Sequence, residues 1–163
     1  NFKKVIAFEP ITSTYKLFKD NIKINKSKKI FVKKLAISDT SGISKIYFNK
    51  KHSGAASIYK GNTKNSQKIL KIKTIDYKIL NKILNSKTKK IVKIDVEGHE
   101  LVVLNQLIKL NFFKLIDYIF IEVNFNFNKT NYIKKKLAKY NFKDVYKTKT
   151  INNHCDFLFK RKT

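Results

Sequence analysis

The sequence predicts an α/β domain: a mostly parallel, doubly wound sheet, with an antiparallel insertion and an antiparallel closing strand. Three observations carry that expectation. Short β-branched apolar runs, such as Val5-Ile6-Ala7-Phe8 and the run holding Ile91, Val92, Ile94 and Val96, read as strands buried on both faces. Helical spacing follows such runs, as in Leu101, Val103, Leu104, Leu107 and Ile108 after Gly98. Acids stand where strand hands over to helix, at the carboxyl edge where open α/β sheets bind ligands.

Taken in order, Lys4 to Glu9 opens as a strand that Pro10 ends, since proline has no ladder donor. Thr12 or Ser13 is the expected cap of a helix carrying Tyr15, Leu17, Phe18, Ile22 and Ile24. Ile30 to Ile37 predicts a second strand, and Ser38 to Gly42 a turn. Ile43 to Phe48 and Leu70 to Thr74 alternate as half-exposed strands. Between them come a small-residue loop from His52 to Ala56, a short strand at Ser57 to Tyr59 and a polar stretch to Gln67. Asp76 begins a helix holding Ile79, Leu80, Ile83 and Leu84. Tyr118 to Val123 is a further buried strand, Thr130 to Tyr140 a helix, and Phe142 to Thr148 with His154 to Phe159 a closing hairpin. No Pro/Gly/Ser-rich linker and no repeat divides the 163 residues, so one domain is expected over 1–163.

Composition narrows the classes. A hydrophobic content of 42% supplies a real core and argues against disorder. No apolar run is long enough to span a membrane, and no signal peptide is visible. Cys155 is alone, so no internal disulfide forms; it reads as a small buried hydrophobe in a protein of the cytoplasm. The net charge of +26 suggests nucleic acid, but Arg161 is the one arginine and the lysines are spread along the whole chain. The expectation is a solvated basic surface with no specific nucleic-acid partner; weak association with acidic polymers or an anionic membrane stays open.

The four glutamates, Glu9, Glu97, Glu100 and Glu122, all fall at or within a turn of the carboxyl end of an expected parallel strand. That coincidence predicts a ligand cleft. An acid closing a strand in a nucleotide-binding unit accepts hydrogen bonds from ribose hydroxyls, which is one reading of Glu9. The other is a helix-start acid favoured by the dipole, with Pro10 just inside the helix. A glycine-rich turn belongs upstream of such a ribose acid. Gly42, Gly54, Gly61 and Gly98 are the only glycines, and none supplies it. An amino-terminal truncation is therefore expected.

The order Val5 to Pro10, Ala36-Ile37-Ser38-Asp39 with Gly42, Ser57, Thr74-Ile75-Asp76, Lys93 to Glu100 and Ile121-Glu122 resembles the FkbM family of methyltransferases over nearly the whole chain. The Phe8-Glu9-Pro10 and Lys93-Ile94-Asp95-Val96-Glu97-Gly98 pieces, in that order and spacing, are its specific part. The resemblance implies a class I methyltransferase sheet of Rossmann-like type and S-adenosylmethionine as cofactor. It also implies O-methylation of a hydroxyl on a sugar or small metabolite. By the same resemblance Glu9, followed by Pro10, holds the ribose. Ile37, Ser38 and Asp39 lie near the adenine, and Asp95 lies at the methyl-transfer end.

A hydroxyl acceptor needs a base. Asp95, Glu97 and His99 are the candidates: two carboxylates two residues apart raise one another's pKa, and histidine takes a proton near neutral pH. The bland readings are carboxylates held by backbone amides, an exposed helical His99, a Glu100 that caps its helix and a surface His52. Asp95, Glu122 and Asn124 are weak candidates for a divalent cation, which is not expected. The rival from another class is a non-catalytic basic module that binds nucleic acid or polysaccharide on a degenerate version of the same fold. The sequence names neither the acceptor nor an oligomeric state.

Overall fold

The structure, a computed structural model, describes residues 2–48, 56, 68–84, 87–125, 130–151 and 154–162. His52, the strand expected at Ser57 to Tyr59 and the polar stretch to Gln67 lie outside the described residues. Within them the chain is a mixed α/β fold. Its strands are β1 (Val5–Phe8), β2 (Ile30–Lys33), β3 (Ala36–Ile37), β4 (Gly42–Phe48), β5 (Lys68–Ile75), β6 (Lys90–Ile94), β7 (Ile116–Asn124), β8 (Phe142–Lys147) and β9 (His154–Arg161). Its helices are α1 (Thr12–Ile24), α2 (Tyr77–Leu84), α3 (Glu100–Ile108) and α4 (Thr130–Ala138).

The strands form three hydrogen-bonded sheets, in the orders β1-β2, β3-β5-β4 and β6-β7-β9-β8. Parallel pairs are β1 with β2, β3 with β5, and β6 with β7. Antiparallel pairs are β4 with β5, β7 with β9, and β8 with β9. One mostly parallel sheet is therefore not what these ladders form. The antiparallel insertion and closing pair are present. The β1-β2 and β3-β5-β4 ladders are separate because the strand predicted over Ile30 to Ile37 breaks at Lys34-Leu35. There the Leu35 N–H turns back to the Lys33 carbonyl at 2.9 Å, and the chain leaves β1 for β5.

The main core lies where α3 and α4 cover the β6-β7-β9-β8 sheet. Ile119, Ile121, Leu104 and Leu137 are fully buried, with Phe157 and Phe159 nearly so. Each such side chain contributes roughly 1.5–3 kcal/mol by leaving water. A smaller cluster of Ile11, Ile46 and Ile72 joins the start of α1 to the inner face of β4 and β5. Helix α1 buries none of its own residues completely. Cys155 is buried, as expected, its thiol 3.2 Å from the Thr148 carbonyl.

Helix starts show how local chemistry sets boundaries. Asp76 caps α2, its Oδ1 accepting from the Lys78 and Ile79 amides at 3.0 and 3.2 Å. At α1 neither Thr12 nor Ser13 caps: the cap position is Ile11, whose N–H donates to Glu9 Oε1 at 2.8 Å. A short 3-10 turn at Phe113–Leu115, which the sequence pattern does not announce, leads into β7. Arg161 ties it down, donating to the carbonyls of Phe113, Ile116 and Tyr140 at 2.7, 2.8 and 2.9 Å. No helix among the described residues is long and apolar enough to cross a membrane.

Candidate active site

A cavity of about 830 Å³ is lined by residues of β1 and β6, and its wall includes Glu9, Pro10, Asp95, Glu97 and His99. Ile37 also lines it. Glu9 follows β1 directly and Asp95 follows β6 directly, so both acids stand where a strand has just ended. This size suits a small organic ligand.

Glu9 is half-buried, and burial pushes its carboxyl above the usual range against the lowering effect of the Ile11 N–H. One oxygen is engaged by that amide. Its side chain gives the cavity wall a carboxylate able to accept from a diol.

Asp95 and Glu97 of the cavity wall belong to a cluster of acids. Carboxylate oxygens of Asp95, Glu97 and Glu122 lie within 4.8 Å of one another. An extended backbone is not what brings Asp95 and Glu97 together. Glu97 sits at φ +50° and Gly98 at φ +102°, so the chain leaves β6 through a left-handed turn. Glycine adopts that conformation freely, and glutamate only at a cost. Burial raises the Glu97 pKa first, with Glu122 and Asp95 adding to it and His154 opposing. Glu122 is raised by burial and then by Asp95, again against His154.

Two basic groups brace the cluster. Lys93 Nζ is 2.8 Å from Asp95 Oδ2, a bond that raises the lysine's pKa. His154 Nδ1 is 3.0 Å from Glu122 Oε1. Sequence reasoning passes over His154. It begins β9, and only the antiparallel register of β9 on β7, with His154 opposite Asn124, carries it to Glu122. The side chain of Asn124 lies outside the described residues.

His99 is buried rather than exposed on its helix, at 7% of its accessible surface. Its Nε2 is 3.2 Å from Ser38 Oγ, which is also 3.2 Å from Asp39 Oδ1. A protonated Nε2 lets the chain run from imidazole N–H to Ser38 oxygen and from Ser38 O–H to Asp39 carboxylate. Burial lowers the His99 pKa, with Asp39 opposing. Glu100, also buried, accepts from the Gly98 N–H at 2.7 Å and so holds the turn. Asp39 lies beyond this bridge, beside Val102, Asn105 and Gln106 in a shallower groove.

The cavity thus carries the single carboxylate of Glu9 and part of a braced carboxylate cluster able to hold positive charge or take a proton. No curated protein and no solved structure matches the chain. The sequence model of the methyltransferase FkbM domain matches residues 1–154. A match over nearly the whole chain is decisive, and the chain belongs to the FkbM family of methyltransferase domains.

Proposed function

We propose that the domain transfers a methyl group from S-adenosylmethionine to a hydroxyl of a sugar or other small metabolite. The observation that carries this reading is the placement of Glu9, Asp95 and Glu97 in the lining of one cavity. The cofactor fits that donor set: a ribose diol suits Glu9, an adenine suits the apolar side of Ile37, and a sulfonium suits an acidic wall. When bound, it supplies a methyl group activated for in-line displacement.

The chain's own residues then have separable tasks. Glu9 orients the ribose, and the Ser38–His99 contact fixes the wall behind it. Asp95, held by Lys93, fixes the methyl-transfer end. Glu97, whose burial favours its protonated form, is a proton acceptor on that wall once ionised. His99 serves by packing and by its bond to Ser38 rather than as the base. With Lys93 already supplying positive charge beside Asp95, a divalent cation is not required.

A Rossmann-like sheet is part of the proposal, and so is one further parallel strand, contributed by polypeptide before Asn1 and carrying the glycine turn. Two features support it. Among the described residues β1 and β6 each pair along one edge only. The Val5 and Glu9 amides bond to Lys29 and Lys33, so alternation turns the backbone N–H and C=O groups of Ile6 and Phe8 to the opposite edge of β1.

Calorimetric titration with S-adenosylmethionine tests the reading, in the 163-residue form and in a form extended at its amino terminus. Binding that Glu9→Ala abolishes supports it. No binding by the extended form, or binding indifferent to both Glu9→Ala and Asp95→Ala, sinks it.

A further inference from the structure

One face of the β4–β5 ladder is not explained by the site. Its inner face is core, with Ile46 and Ile72 buried. On its outer face Ile43 stands opposite Lys73, Lys45 opposite Lys71, and Tyr47 opposite Ile69. Ile43 is 71% exposed and Ile69 54%, and all three lysines are exposed. Neither strand carries an acid. Among the described residues no salt bridge reaches these lysines.

Placing Lys45 directly across from Lys71 is unfavourable in water, because like charges opposed on neighbouring strands repel. Two bare isoleucines beside them add an apolar cost. Both disadvantages turn to advantage against one kind of surface: anionic headgroups over an apolar interior. Lysine ammoniums meet phosphates while their stems and the isoleucines lie in the acyl boundary, and a tyrosine sits at the interface. Single-stranded nucleic acid fits less well, since two of the six positions are aliphatic rather than stacking rings and none is arginine.

We propose that the outer face of β4 and β5 docks the domain on an anionic lipid surface. The test is flotation of the 163-residue protein with phosphatidylglycerol-containing vesicles and with pure phosphatidylcholine vesicles. Binding is expected to the former alone. Lys45→Glu/Lys71→Glu is expected to weaken it by roughly tenfold or more. Ile43→Ser/Ile69→Ser is expected to remove the part that survives high salt. Lys16→Glu/Lys19→Glu on α1, an equal change in net charge, is expected to alter binding by less than about threefold. Far-ultraviolet circular dichroism confirms that each variant is folded. The proposal is overturned by absent binding to the anionic vesicles, by an equal loss in the α1 variant, or by an isoleucine variant that binds as the parent does. Tighter binding of a polyuridine probe through the same residues would reassign the face to nucleic acid and overturn it too.

Discussion

Ser38 Oγ lies 3.2 Å from His99 Nε2, and both residues are buried. The bond joins the exit of β3 to the turn between β6 and α3, two segments that share no ladder. Removing it leaves a buried imidazole nitrogen without that partner. Ser38→Ala is expected to destabilise the domain by about 1–3 kcal/mol, read from urea unfolding.

The same histidine sets a pH dependence. Its folded pKa lies below the ordinary value because burial disfavours the charged ring. The unfolded chain therefore binds the extra proton first. The stability contributed by neutral His99 is complete above about pH 6.5 and declines as pH falls below it, levelling off under the depressed folded value. Urea midpoints at pH 8 and pH 5.5 should differ less in His99→Gln than in the parent.

Glu97 carries two penalties at once, a left-handed backbone and a raised pKa. Glu97→Gly relieves both and is expected to stabilise the domain by about 1 kcal/mol at neutral pH, while lowering methyl transfer. The sign of the charge part is checkable with Glu97→Gln. Because ionising a raised acid opposes folding, that variant gains on the parent as pH climbs through and above the usual carboxylate range. It shows no such gain in acid.

Arg161 is a structural clasp. It donates to three carbonyls and lies over the rings of Phe113 and Phe142, at 5.2 and 4.3 Å from their centroids. Lysine cannot reproduce a planar fork that serves several acceptors. Arg161→Lys is expected to lower stability by about 2–3 kcal/mol in thermal or urea unfolding, with cofactor affinity unchanged.

Chelation separates the two uses of the acidic wall. With Lys93 already bonded to Asp95 at 2.8 Å, EDTA is expected to leave cofactor binding unchanged. An affinity that falls on chelation and returns with Mg²⁺ would assign the Asp95, Glu97 and Glu122 cluster to a cation instead.

Much of this was legible in the chain because local signals carry it. The run from Val5 to Phe8 and the apolar pattern after Gly98 encode a strand and a helix by spacing alone. Glu9 and Glu97 mark strand ends because each follows a short apolar run that reads as a strand. What stayed hidden depends on register and on single torsions. Nothing in Ile30 to Ile37 announces that Leu35 turns back on Lys33. His154 meets Glu122 only through pairing across 32 residues of sequence. His99 looks like a surface residue until the Ser38 turn folds over it.

The division of the sheets has a consequence for motion. Among the described residues the β1–α1–β2 unit shares no ladder with the other strands, and its helix contributes no fully buried side chain. Its link to the rest is side-chain packing around Ile11 and Phe8. Such a segment behaves as its own cooperative unit, opening at a lower free energy than the β6–β7–β9 core. Amide exchange in β1 and β2 should therefore outpace exchange in β7 by orders of magnitude. Glu9 lines the cavity from the end of β1, so the unit expected to open first also carries one of the cavity's acids.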